Sequence, residues 1–199
     1  MRPIVVDDVL DLTQYELRRE EIYRRTIALK RPRRIRVGGE LTFIFENRDT
    51  VLFQVQEMIR TERIVKPDAV AAEIAVYNEL LPGPDQLSAT LMIEITESGR
   101  IRETLDRLIG IDEHVALEIG NAEIRAGFDA KQFEEDRISA VQYVRFDLGP
   151  ALATAFRDPA VPAALRVDHP SYSARTAIEG ASRASLAADL DPDVGSALG

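Results

Sequence analysis

The sequence predicts an α+β domain: a mostly antiparallel sheet built from hairpins, with helices packed against it. Three observations lead there. Alternating apolar segments come in pairs punctuated by glycine, as in Gly38-Gly39 and Gly120-Asn121. Helical segments fall between these pairs without a regular βαβ alternation. The chain of 199 residues, 45% hydrophobic and 30% charged, suffices for one ordinary core.

The first helix has a readable start. Thr13 and Glu16 stand at the spacing of a capping box, and Leu12 and Leu17 occupy the positions of a hydrophobic staple. The helix runs to about Lys30 with Tyr15, Ile22, Tyr23 and Ile27 near one face, and Pro32 stops it. Residues 34–37 and 41–46 then read as a hairpin about a two-residue Gly38-Gly39 turn. In its second strand Leu41, Phe43 and Phe45 make one apolar face, and Thr42, Ile44 and Glu46 the other. Asp49 caps a helix from Thr50 to about Arg63. Pro67 opens the next helix at its first position, with Asp68 in the positive N-terminal turn. That helix carries Val70, Ile74, Tyr77 and Leu81 at helical spacing, and Pro82-Gly83-Pro84-Asp85 ends it.

Leu87 to Thr96 alternates as a strand. Ser98 caps a short helix ending near Ile109, with Gly110 fitting just past its end. His114–Ile119 and Ala122–Phe128 form a second hairpin, Lys131–Asp136 a short helical segment, and Ala140–Leu148 a strand. Pro150 opens a helix to about Phe156. Leu165–Asp168 and Ser173–Ile178 are two more strands, joined by His169-Pro170-Ser171-Tyr172. A single domain is expected over residues 1–180. The Ala-rich remainder, 181–199, is expected as a helix to Leu190 and then a fraying tail.

Composition narrows the function classes. Without cysteine the chain has no disulfide, thiolate metal ligand or cysteine nucleophile. It lacks a secretory apolar region after Met1 and an apolar run of membrane-spanning length, so a cytoplasmic protein is expected. Net charge of −9 disfavours general nucleic-acid binding. The charge is uneven: Glu16–Arg36 holds nine Lys/Arg against three Glu. Within it Arg31, Arg33, Arg34 and Arg36 form a candidate basic patch for an acidic partner or an anion, and arginine forks suit carboxylates and phosphates. A solvated surface neutralised by the acidic remainder is the competing reading.

Two further constellations carry candidate chemistry. Gln54, Gln56, Glu57, Arg60, Glu62 and Arg63 crowd one helix, and Glu57 and Arg60 share a face. Gln56, Glu57, Arg60 and Arg63 can hold an anion or ligand, or can be a solvated face with i,i+3 ion pairs. His169, preceded by Asp168, has the one side chain whose ordinary pKa lies near neutrality, and Tyr172 adds a donor. His-Pro is equally a means of making a turn. A small enzyme or ligand-binding site would need these two segments to converge. The two histidines lack helical metal-ligand spacing, and no P-loop, G-x-G-x-x-G or G-x-S-x-G is present, so no metal site or cofactor is assigned.

The stretches 42–50 and Gln54–Ile64, with Met92–Ile95, Leu108–Ile111 and Asp168–Tyr172, resemble a bacterial family of unknown function. The resemblance extends from Leu10 to about Ile178, and its most specific part is Gln56-Glu57-Met58 through Arg63-Ile64. It implies an accessory or binding protein. Genes of that family often neighbour those for a rubrerythrin-like di-iron protein and for an iron–sulfur protein similar to a heterodisulfide reductase subunit. Redox or peroxide-stress work with such partners is therefore the expectation, and the resemblance assigns no catalytic residue.

Overall fold

The computed structural model describes residues 1–95, 101–129, 133–134 and 137–190. The fold is α+β, with antiparallel sheets of five and four strands. The first sheet runs β1 (Arg34–Val37), β2 (Leu41–Glu46), β3 (Gln86–Ile93), β9 (Val141–Asp147), β6 (Gly127–Phe128). The second runs β11 (Tyr172–Ala177), β10 (Ala163–His169), β4 (Val115–Ile119), β5 (Ala122–Arg125). The sheets face each other across one core, because alternation aims Phe43, Phe45, Leu91 and Phe146 at Leu117, Leu165 and Val167.

Both edges of this sandwich are closed. On one side the chain passes from β5 through buried Ala126 into β6 and so changes sheets; the strand expected over Ala122–Phe128 is broken there. On the other side β11 reaches over the free edge of β1. The Thr176 hydroxyl donates to the Arg36 carbonyl (2.8 Å) and the Tyr172 hydroxyl to the Val37 carbonyl (2.6 Å). An edge strand's open carbonyls are thereby satisfied by side chains. Helices α5 (Gly149–Arg157) and α6 (Gly180–Asp189) add Phe156, Leu186 and Leu190 to the sandwich core. Residues 191–199, expected as a fraying tail, lie outside the described residues.

Helices α1 (Leu12–Lys30), α2 (Arg48–Glu62) and α3 (Pro67–Asn78) form a separate unit. Its own core holds Ile4, Val51, Val55, Ile59 and Ile74. The extended N-terminal segment is stitched to it by two side-chain amides. Asn78 exchanges two hydrogen bonds with the Ile4 backbone, and Gln56 does the same with Leu10, all at 2.9 Å.

Several local expectations are corrected. The cap of α1 is Asp11, whose carboxylate accepts from the Gln14 N–H (2.8 Å); Leu17, the expected staple partner, is 83% exposed. Ile27 and Tyr23 are also exposed, since α1 buries the face through Tyr15 and Thr26. The cap of α2 is Asn47, not Asp49, in a reciprocal box with Thr50. The first hairpin has three loop residues, because Val37 pairs with Leu41. Only Gly38 there has a left-handed φ (68°), and a Cβ at that position would lie 2.3 Å from the Tyr172 hydroxyl. Of the helix expected near Lys131–Asp136, Phe133–Glu134 are instead a strand, β7, paired antiparallel with β8 (Arg137–Ile138); residues 131, 132, 135 and 136 lie outside the described residues. The expected helix cap Ser98 falls outside the described residues; α4 spans Ile101–Arg107.

Candidate functional site

The polar face of α2 is answered by α1. Glu57 accepts from the Tyr15 hydroxyl (2.7 Å) and from Arg19 through Nε (2.8 Å) and Nη2 (2.9 Å), a bidentate fork. Arg60 stands 3.5 Å from both Glu57 and Glu16. The Arg19 hydrogen bonds, joined by that from Tyr15, outweigh burial and hold the Glu57 carboxyl down at about 2. Burial and the negative Glu57 push the Tyr15 phenol up. Gln56 is buried on Leu10, and Arg63 ends α2 in a left-handed, exposed conformation. Chemically this is an interhelical clamp.

His169 lies elsewhere, at the opposite end of the sandwich from α5. Its Nε2 donates to the Ile109 carbonyl (3.0 Å) and its Nδ1 accepts from the Ser171 N–H (3.2 Å), which assigns a neutral tautomer. Its ring meets His114 edge-on, with centroids 5.2 Å apart. Asp168 pairs with Arg166 rather than with the imidazole. Tyr172 latches the first hairpin: besides donating to Val37 it accepts from the Glu40 N–H (3.1 Å). No hydrogen bond, ion pair or ring contact joins Gln56, Glu57, Arg60 or Arg63 to His169 or Tyr172.

The basic stretch divides by strand parity. Arg34 and Arg36 point outward and share the carboxylate of Glu94, at 3.6 and 4.0 Å. Arg31 is exposed at the exit of α1. Arg33, expected among them, is only 1% exposed. It donates to the carbonyls of Phe45 (2.9 Å) and Glu46 (3.1 Å) and pairs with Asp189 of α6. Arg33 is thus a bolt between α6 and the sheet.

A concave feature that the sequence did not reveal is a cleft of about 680 Å³ at the seam between α3 and the outer face of the five-stranded sheet. Register builds its floor. Glu46, Ser88, Arg145 and Gly127 form one row across β2, β3, β9 and β6; Thr90 and Tyr143 stand opposite each other in the next. Helix α3 supplies Glu73 and Tyr77 from above. Glu46 is 3% exposed and accepts from the hydroxyls of Thr50 (2.5 Å) and Thr90 (2.7 Å). Burial pushes the Tyr77 phenol up, and Tyr143 and Glu73 push it further. The sequence signal for Glu46 was its parity: an acid closing an apolar strand on the face opposite Phe45.

A sandwich closed at both edges, carrying a three-helix unit with a polar cleft at the seam, defines the class of molecule. The chain belongs to the family described as "Protein of unknown function (DUF3501)", whose model matches residues 3–190. That match takes in α6, which the resemblance in the sequence did not reach. A crystal structure at 1.90 Å resolution of a novel protein of unknown function from Burkholderia pseudomallei K96243 is similar throughout. It has a TM-score of 0.89 and 33% sequence identity, over 96% of this chain and 100% of that one. No curated protein matches the chain. Among the described residues no helix is long and apolar enough to cross a membrane.

Proposed function

We propose that this protein is an accessory binding protein that docks on an acidic, iron-containing redox partner through the basic face of α1 and β1. The observation that carries the reading is Arg34 and Arg36, side by side on the outward face of β1 and sharing one loosely placed carboxylate, Glu94. Arg31 continues the charge at the exit of α1, and Arg24 is 73% solvent-exposed farther back. Exposed Tyr23 and Ile27 lie on α1 as well, with Tyr23 against Phe53 at 6.1 Å. Arginine beside exposed aromatic and aliphatic surface suits a protein partner. Gene neighbours in the family that the sequence resembles supply the partner class: rubrerythrin-like and iron–sulfur proteins, in a peroxide-stress or redox setting.

Sedimentation of the full chain with each of those two proteins from the same organism tests the reading. A complex is expected at about 50 mM salt that weakens steeply by about 500 mM, since the contact is electrostatic. Arg34→Glu with Arg36→Glu is expected to weaken it about tenfold or more. Absence of a complex with either protein, or one indifferent to both salt and charge reversal, removes the proposal.

A further inference from the structure

The seam cleft carries an inference independent of the docking face. It starts from Glu46. A buried carboxylate is costly unless a cation answers it. Among the described residues no cation forms an ion pair with Glu46; its partners are two neutral hydroxyls, Thr50 and Thr90. Arg33 reaches only the backbone carbonyl of Glu46. An ionised carboxylate offers about four lone-pair sites, and the hydroxyls take two. The remaining acceptor capacity lies at a residue that lines the cleft.

The surroundings select the ligand's chemistry. Glu73 and Glu79 also line the cleft, against Arg145 as its guanidinium. Arg145 is itself engaged with the Glu79 carbonyl. An anion therefore meets net negative charge there. Tyr77 and Tyr143 supply aromatic rings, and a ring face attracts a cation held near it. Among the described residues no group of three or more His, Asp or Glu side chains is placed to hold a metal ion. About 680 Å³ is ample for a small organic molecule. At Gly127 the wall carries no side chain, and a Cβ there would meet only the Arg145 carbonyl at 3.8 Å.

We infer that the cleft between α3 and the β2–β3–β9–β6 face binds an organic cation, an ammonium or guanidinium group on a compact aromatic or aliphatic body, with Glu46 as its counter-ion. The cation takes the free acceptor sites of Glu46, and its body lies against Tyr77 and Tyr143.

Calorimetric titration of the full chain with tyramine, agmatine and 4-ethylphenol tests this. 4-Ethylphenol keeps the ring of tyramine and lacks its amine. At least one of the two cations is expected to bind, and about tenfold or more tighter than 4-ethylphenol, the scale of one charge-assisted hydrogen bond. Glu46→Gln is expected to remove that preference. Gly127→Val narrows the cleft without touching its polar groups and is expected to weaken both cations. Glu73→Gln serves if Glu46→Gln does not fold, and is expected to weaken them less. Binding of neither cation, equal binding of 4-ethylphenol, or unchanged affinity in all three variants overturns the inference. These outcomes leave the sedimentation test of the docking face untouched.

Discussion

Glu57 in the α1–α2 clamp and Glu46 at the floor of the seam cleft are carboxylates eleven positions apart in one chain, and they are answered in opposite ways. Glu57 is gripped by a bidentate arginine, a phenol and a second arginine. Glu46 is more deeply buried and receives only two hydroxyls. The first arrangement completes its own electrostatics and stabilises a helix pair. The second leaves a buried charge without a counter-charge, a common condition of sites that meet a ligand. Residue type and local density mark Glu57 as the functional candidate; the partners mark Glu46.

Substitutions at these carboxylates and their partners separate the two arrangements. The largest effect is expected at Arg33. Arg33→Ala leaves Asp189, 8% exposed, buried without its guanidinium. A loss of about 3–5 kcal/mol in urea denaturation is expected, as for removal of one member of a buried pair. A loss below about 1 kcal/mol would mean that α6 is not bolted by charge.

Glu57→Gln is expected to cost about 2 kcal/mol, because its hydrogen bonds are charge-assisted. Its pH dependence is a sharper readout. The folded carboxyl sits at about 2, below its ordinary 4.5. Its stabilisation is therefore complete above about pH 4.5 and is lost as pH falls toward 2. Asp8 is also held at about 2: burial opposes this, but the Val5 N–H, Arg48 and Arg2 prevail. Acid denaturation of Glu57→Gln is expected to lose the Glu57 share of the slope and to retain the Asp8 share. An unchanged slope contradicts the clamp.

Tyr172→Phe removes the hydroxyl that both accepts from Glu40 and donates to Val37, at an expected cost of about 1–2 kcal/mol by thermal unfolding. The smallest effect belongs to the exposed Glu20–Arg24 pair, where Glu20→Gln is expected to change stability by less than about 0.5 kcal/mol.

Much of the fold was legible because its signals are local. Pro67 and Pro150 mark helix starts, glycines mark turns, and alternation gives β2 and β9 within one residue, while β3 ends at Ile93, short of the expected Thr96. The failures have physical reasons. Asp11 and Asn47 outcompeted Thr13 and Asp49 as caps because several adjacent polar residues can each reach a free N–H, and tertiary packing decides among them. The strand around Phe133 has two residues, too few for any period to register. The partners of Glu57 lie 42 and 38 positions away, at Tyr15 and Arg19, beyond any local pattern. Strand parity was readable yet decisive: it sets Arg33 with Ile35 and Val37 on the inward side, and Glu46 opposite Phe45.

Urea denaturation of Glu46→Gln and Glu57→Gln side by side at neutral pH tests the contrast most directly. The expected result is a loss of about 2 kcal/mol for Glu57→Gln, while Glu46→Gln stays within about 1 kcal/mol of the parent or exceeds it, since it neutralises an unanswered buried charge. A Glu46→Gln variant that loses as much stability as Glu57→Gln would show that Glu46 is a structural carboxylate completed by its threonines, and would contradict the account.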